Sequence, residues 1–256
     1  MKKFSVLLVA FALMAAVVLP GCSNDKDDPD PTTTTPVTVR VATDATWPPF
    51  EYVDTTTSQI VGFDIDLMNA IAAKAGFEVE FVNVEWDPLL AGVASGTYDA
   101  SISSITITAA RQEVMLFSDP YLSAGQIIVV RASNNTITGA ANISGKVGVQ
   151  SGTTGDMEVI DMSSVERVAF DDIGLAFNAL KSNQIDAVVC DTPVADGYVT
   201  NYPGEYKTVG EMLSAEEYGI ALPKGNEALL AQINTALAQV IADGTIEQLK
   251  TKWDVA

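Results

Sequence analysis

At 256 residues, 48% hydrophobic and 18% charged, the chain can bury a sizeable core in one large domain or two modest ones. A formal net charge of −19 excludes a nucleic-acid partner, whose phosphates demand a basic face, and the absence of histidine excludes Ser-His-Asp chemistry and most zinc sites. No metal and no cofactor are expected, and any catalysis would fall to carboxylates, Lys, Tyr or Cys.

Met1-Lys2-Lys3 is a basic start, Phe4 to Leu19 a short apolar run, and Leu19-Pro20-Gly21-Cys22 has the form of a bacterial lipobox. Residues 1–21 therefore read as a lipoprotein signal peptide and Cys22 as the lipidation site, with an uncleaved anchor as the alternative. Both readings tether the folded part outside the cytoplasmic membrane, at the cell surface or in a periplasm. The stretch 22–36 is the lipidated Cys followed by a polar, Pro- and Thr-rich tether with too little apolar area to fold. Cys22 and Cys190 lie in contexts too different for a disulfide, and Cys190, inside an apolar run, reads as a small buried hydrophobe.

Beyond the tether, Val37 to Ala42 alternates as a strand, and an aromatic, Pro-containing loop runs to Phe50. Gly62 to Gly76 has helical spacing and a Gly stop. Strand 78–84, helix 88–94, strand 98–102, a short helix near 108–114 and a buried strand 125–130 follow. The alternation then restarts with strand 145–150, the loop Ser151-Gly152-Thr153-Thr154-Gly155, helix 156–160, strand 165–170, helix 173–181 and strand 185–190. Asp191-Thr192-Pro193 opens another helix, 218–222 is a further strand, and helices 226–243 and 245–253 close the chain. Alternating strands and helices imply open, largely parallel sheets flanked by helices.

The two halves echo each other. Leu89 to Ala100 and Ala176 to Ala187 each pass from helix through a turn to Asp-Ala and a strand, too far apart for a solenoid and right for two similar α/β lobes. Open α/β sheets bind ligands beyond the carboxyl ends of their strands, so two facing lobes make a cleft. On one wall lie Ser104, Thr106 and Arg111, donors suited to a small carboxylate; Arg111 as the partner of a surface acid is the alternative. At the matching position of the other wall stands Asp191, an acceptor for an ammonium or, equally, a helix cap. Asp64 and Asp66 read as first-turn helix charges, and Thr108 and Asp171 as caps.

The stretches VATDATWPPFEY, GFDIDLMNAIA, ISSITITAAR, FSDPY, GVQSGTTG, IDAVVCDTP, YGIALPKGN and IEQLKTKWD, in this order, cover nearly all of residues 37–256. In them the chain resembles the polar amino-acid family of extracytoplasmic solute-binding proteins, the receptors of ABC importers, most closely the glutamine-binding branch. The resemblance implies a two-lobe clamshell, with lobe 1 from 37–126 and 222–256, lobe 2 from 127–221, and two crossing hinge strands near 126–130 and 218–222. It also implies that Arg111, Thr106 and Thr153 hold a ligand carboxylate, and that Asp191 and the Ser104 carbonyl take the α-ammonium. Trp47 and Phe63, which taken alone read as core aromatics, would sandwich the ligand side chain. Asp44 and Gln150 would read its polar end. Gln150 departs from the Lys common in the family, and an Asp with a Gln suits an amide or basic side chain, as in glutamine or arginine. The expected function is a monomeric receptor that binds a polar L-amino acid and delivers it to a membrane permease, rather than an enzyme. A dehydratase on the same scaffold and a sensory ligand-binding module are the competing classes.

Overall fold

The computed structural model describes residues 37–255; the expected signal peptide, Cys22 and the tether lie outside the described residues. In chain order the elements are β1 (Thr38–Thr43), β2 (Thr46–Trp47), β3 (Glu51–Val53), β4 (Ile60–Val61), α1 (Phe63–Ala75), β5 (Glu78–Asn83), α2 (Trp86–Ala94), β6 (Ala100–Ser101), α3 (Ala109–Val114), β7 (Met115–Phe117) and β8 (Leu122–Ala124). The second half contains β9 (Gln126–Arg131), a 3₁₀ turn at Ala140–Asn142, β10 (Gly145–Gln150), α4 (Thr154–Ile160), β11 (Val165–Phe170), α5 (Ile173–Lys181), β12 (Ala187–Asp191), α6 (Thr192–Asn201) and β13 (Tyr206–Val209). The chain ends with β14 (Glu216–Tyr218), β15 (Ala221–Pro223), α7 (Glu227–Ala242) and α8 (Thr245–Trp253).

Two five-stranded sheets share one plan, β5-β1-β6-β15-β7 and β11-β10-β12-β9-β13. In each, the first three strands are parallel, the fourth runs against them, and the fifth, antiparallel to the fourth, runs in the direction of the first three. A parallel strand covered on both faces is apolar throughout, and β12 is buried at every position. One side of the second sheet buries Val147, Val149 and Val189 with Val159 of α4, and the other buries Val188 and Cys190 with Ile173, Phe177 and Leu180 of α5. Cys190 is thus the buried hydrophobe expected. In the first sheet, α1 packs Leu67, Met68 and Ile71 against one face and against α7, and α2 packs Leu89 and Val93 against the other. No helix among the described residues is long and apolar enough to cross a membrane.

The segment 218–222, expected as one strand, is divided. Tyr218 ends β14, paired with β8, whereas Ala221 begins β15 in the first sheet. The break at Gly219-Ile220 follows from a change of partner: Gly219 N donates to Ile105 O, and Ile220 N to the Ser118 hydroxyl. The two-stranded sheet of β8 and β14 joins the stretch where the chain leaves the first sheet to the stretch where it returns. A second unforeseen feature is the small antiparallel sheet β2-β3-β4 between β1 and α1. It closes on Gly62, whose φ of 143° and contact with Phe50 leave no room for a side chain: a Cβ there would lie 1.9 Å from the Phe50 carbonyl oxygen. That close approach sets Glu51 of β3 against the first turn of α1.

Candidate functional site

Eight of the nine residues expected to meet a ligand, Asp44, Trp47, Ser104, Thr106, Arg111, Gln150, Thr153 and Asp191, line one cavity. The ninth, Phe63, lies elsewhere. It is fully buried at the start of α1, edge-on to Phe50 at 5.9 Å and beside Tyr121 at 6.3 Å, so it belongs to the core. The second aromatic of the cavity is Trp86, the first residue of α2.

The walls come from the carboxyl ends of both sheets. After β6 the chain turns through Ser103 and Ser104, and Ser104 takes the left-handed conformation (φ 48°). Its N–H donates to Asp64 at 2.7 Å, and its hydroxyl is buried without a partner. Asp64 lies in the first turn of α1 as expected, but it is fully buried and also accepts from the Tyr121 hydroxyl at 2.9 Å. Asp66 does lie nearer the surface, accepting from Lys252 and Trp253. Thr108 caps α3 by accepting from Arg111 N, and this places Arg111 on the first turn. The guanidinium is buried, donates to Thr106 O at 2.9 Å and reaches Gly152 O at 3.3 Å in the opposite wall. It stacks over Trp86 at 5.2 Å. Burial pulls its pKa down, opposed by the charges of Asp191 and Glu216.

From the second sheet, β10 ends at Gln150, whose amide donates to Asp44 Oδ2 at 2.9 Å and to the Asp171 carbonyl at 3.2 Å. Its Oε1 is buried without a partner. Thr153 caps α4, accepting from Asp156 N and donating to Gln150 O. The turn before it is braced by Asp156, which accepts from Gly152 N and from Nε and Nη2 of Arg167. The cap of α5 is Asp172, one residue beyond the Asp171 expected, because Asp172 reaches the Gly174 and Leu175 N–H groups while Asp171 serves Gln150 through its carbonyl. Asp191 begins α6 but makes no cap bond; its carboxylate accepts from Gln126 at 2.7 Å and from the Tyr218 hydroxyl. Burial raises the pKa of Asp191 to about 6, and Glu216 adds to the rise. Burial likewise raises Asp44 to about 6, against the hydrogen bonds from Thr46 and Gln150.

Besides Trp86, three residues of the site escaped the sequence reading. Glu216 in β14 accepts from Thr106 at 2.8 Å in the first wall and from Thr154 at 3.0 Å in the second, and so ties the walls together. Gln126 in β9 joins Thr154, Asp191 and Glu216. Glu51 lines the cavity floor, fully buried. The arrangement offers a cation and hydroxyls at one end, carboxylates elsewhere, and orphaned polar atoms on Trp47, Trp86, Ser104 and Gln150. Buried polar groups without protein partners are rare, and several converging on one cavity suit a polar ligand carrying both charges.

The model of the bacterial extracellular solute-binding proteins, family 3, matches residues 39–255. A probable histidine-binding protein of Neisseria gonorrhoeae is 32% identical over 99% of this chain and 96% of its own. ABC transporter arginine-binding protein 1 of Escherichia coli K12 is 33% identical over 84% of this chain and 90% of its own. Among solved structures, an ancestral arginine-binding protein bound to arginine superposes with a TM-score of 0.80 at 44% identity, covering 84% of this chain and 97% of that one. The ancestral arginine-binding protein bound to glutamine gives 0.81 at 44%, covering 87% and 100%.

Proposed function

The chain belongs to the bacterial extracellular solute-binding proteins, family 3, and from that premise we propose that it is the receptor of an ABC importer for L-arginine, with glutamine as the weaker ligand. The observation that carries the arginine reading is the far end of the cavity. There the Asp44 carboxylate and the orphaned Gln150 Oε1 supply acceptors, both deeply buried, beside the Trp47 ring. A guanidinium brings donors and a charge to both acceptors. A glutamine amide brings donors without the charge. In this reading Arg111, Thr106 and Thr153 take the α-carboxylate, and Asp191 with Ser104 takes the α-ammonium. Each charge-assisted hydrogen bond contributes about 1.5–3 kcal/mol, enough in sum for micromolar binding after ordering costs.

The β8–β14 pair, with the change of sheet at 218–222, supports hinge closure between lobes 37–126 with 222–256 and 127–221. Closure follows if the ligand touches both walls, because a ligand shifts an equilibrium only by its differential affinity. Cys22 would carry the lipid that holds the receptor, a monomer, near its permease. Binding rather than turnover is the reading because a dehydratase needs a free acid facing the ligand, whereas Asp44 and Asp191 are already engaged by Thr46, Gln150, Gln126 and Tyr218. Calorimetric titration of residues 23–256 against the twenty amino acids tests the proposal. Arginine is expected to bind tightest, at micromolar or below, and an arginine affinity weaker than that of a neutral amino acid would overturn the assignment.

A further inference from the structure

At the cavity floor, two carboxyl groups lie close together, and among the described residues neither makes a salt bridge. Glu51 of β3 and Asp64 of α1 are both fully buried, brought together by the close approach at Gly62. Their four oxygens divide as follows. Glu51 Oε1 accepts from the Ser103 hydroxyl at 2.9 Å, and Asp64 Oδ2 accepts from both Ser104 N–H and the Tyr121 hydroxyl. Asp64 Oδ1 and Glu51 Oε2 are buried with no donor bonded to them among the described residues, while the two side chains are held side by side, Glu51 on Ser103 and Asp64 on the next residue, Ser104, with Asp64 N–H on the Phe50 carbonyl at 3.0 Å. Two carboxylates so placed leave both oxygens without a donor, whereas a carboxylic acid beside a carboxylate satisfies both. We propose that Glu51 and Asp64 share one proton at neutral pH, carried on Glu51 Oε2 and donated to Asp64 Oδ1, and that the pair is the positioning element for the cavity floor. The proton sits on Glu51 because Asp64 already has two donors and Glu51 one.

The pair reaches both ends of the site. Through the Ser103 hydroxyl, which accepts from Asp44 N–H at 3.0 Å, Glu51 fixes the loop that carries Asp44. Through the Ser104 N–H, Asp64 holds Ser104 in its left-handed turn. The titratable groups around the pair are Asp44 beyond β1, Tyr121 before β8 and, behind Tyr121, Tyr218 of β14 with Asp191. Burial first, then the neighbouring Asp64, pushes Glu51 well above the ordinary 4.5. A proton retained only in the folded state makes folding take up a proton. Stability from this group is full below the unfolded value and is lost as pH rises toward the folded value.

The positioning role rests on the receptor reading, but the shared proton does not. Carboxyl ¹³C NMR of the ligand-free protein, labelled in Glu, tests the proton alone: one glutamate carboxyl is expected to stay protonated at pH 7 and to vanish from the spectrum of Glu51→Gln. If every glutamate is ionised at pH 7, the shared proton is overturned whatever the protein binds. Glu51→Gln, whose amide N–H replaces the acid proton, is expected to keep arginine affinity within about twofold, and Glu51→Ala to lose at least tenfold. The pH slope of unfolding above 4.5 should flatten in Glu51→Gln by up to about tenfold in the unfolding constant per pH unit. An unchanged slope, or a Glu51→Gln protein that loses binding tenfold, would overturn the proposal even if Glu51→Ala fails to fold.

Discussion

The two halves of this protein are the same machine up to the strand ends and different beyond them. Asp99 in the first half accepts from Arg40 N–H at 2.8 Å and returns its own N–H to the Arg40 carbonyl; Asp186 in the second does the same with Lys146, also at 2.8 Å. Counting outward from those anchors, Asp44 corresponds to Gln150 and Ser104 to Asp191. The pairs differ chemically, and Asp44 and Gln150 bond each other across the cavity. The first half also carries the inserted β2-β3-β4 sheet, which brings Trp47 and Glu51, whereas in the second half Thr153 starts α4 almost directly after β10. Pseudo-symmetry supplies two facing sets of strand ends. Departures from it supply the charges that a single asymmetric ligand needs.

The largest expected effect breaks the comparison at its most one-sided residue. Arg111→Ala removes a buried cation that has no counterpart in the second half, and arginine affinity should fall by about 1.5–3 kcal/mol, roughly ten- to a hundredfold, with the fold intact by circular dichroism. Unchanged affinity by calorimetry would remove the carboxylate clamp. Next comes the pair that meets across the cavity. Asp44→Asn makes the two equivalent positions both amides, and it should weaken arginine about tenfold while leaving glutamine within threefold. Equal losses for the two ligands would show that Asp44 acts as a brace and does not read charge.

These two positions also mark what was legible in the sequence. Strand-end motifs announced themselves, because loops of hydroxyls and charges after apolar runs have few other uses; Asp44, Arg111, Thr153 and Asp191 all reach the cavity. Phe63 did not, since nothing local signals that Gly62 presses the chain onto Phe50 and turns the ring into the core. Trp86 was hidden by its place at a strand-to-helix boundary. Glu216 and Gln126 sit where the chain crosses between sheets, and their partners are 110 and 65 residues away, distances no periodicity encodes. Asp64 read as a first-turn acid, which it is, and nothing local signals its burial. Only tertiary contact with Glu51, Ser104 and Tyr121 makes it internal.

Acidity sharpens the comparison on both walls at once. Asp44 and Asp191, one from each half, are each raised to about 6, by burial above all. Both must be ionised to meet a cation, so arginine affinity should hold steady above pH 7 and fall severalfold between pH 7 and 5, as measured by titration at fixed ionic strength. Ligand-free stability has the opposite sign. A raised carboxyl favours the folded state fully below its unfolded value near 3.8, and that contribution is lost as pH rises through 6. Denaturant midpoints should therefore rise on acidification from pH 7 toward 5 while affinity drops. Midpoints and affinity that both stay flat between pH 7 and 5 would mean that these carboxyls are ionised throughout.

The smallest effect addresses the part of the comparison that should not break. Asp99→Ala and Asp186→Ala each delete one carboxylate–N–H bond at the same place in the same strand pattern, and each should cost about 1 kcal/mol in urea unfolding with arginine affinity unchanged. The environments are alike but not identical. Asp186 also lies 3.9 Å from Arg131, but that pair is partly exposed and long, so it adds little. The two sites belong to different sheets and share no partner, so the double variant should lose the sum of the two within about 0.5 kcal/mol. A loss at Asp186 several times that at Asp99 would mean that the Arg131 bridge to the Leu180 and Ile185 carbonyls depends on Asp186. The second half would then owe its register to a cation that the first half does without.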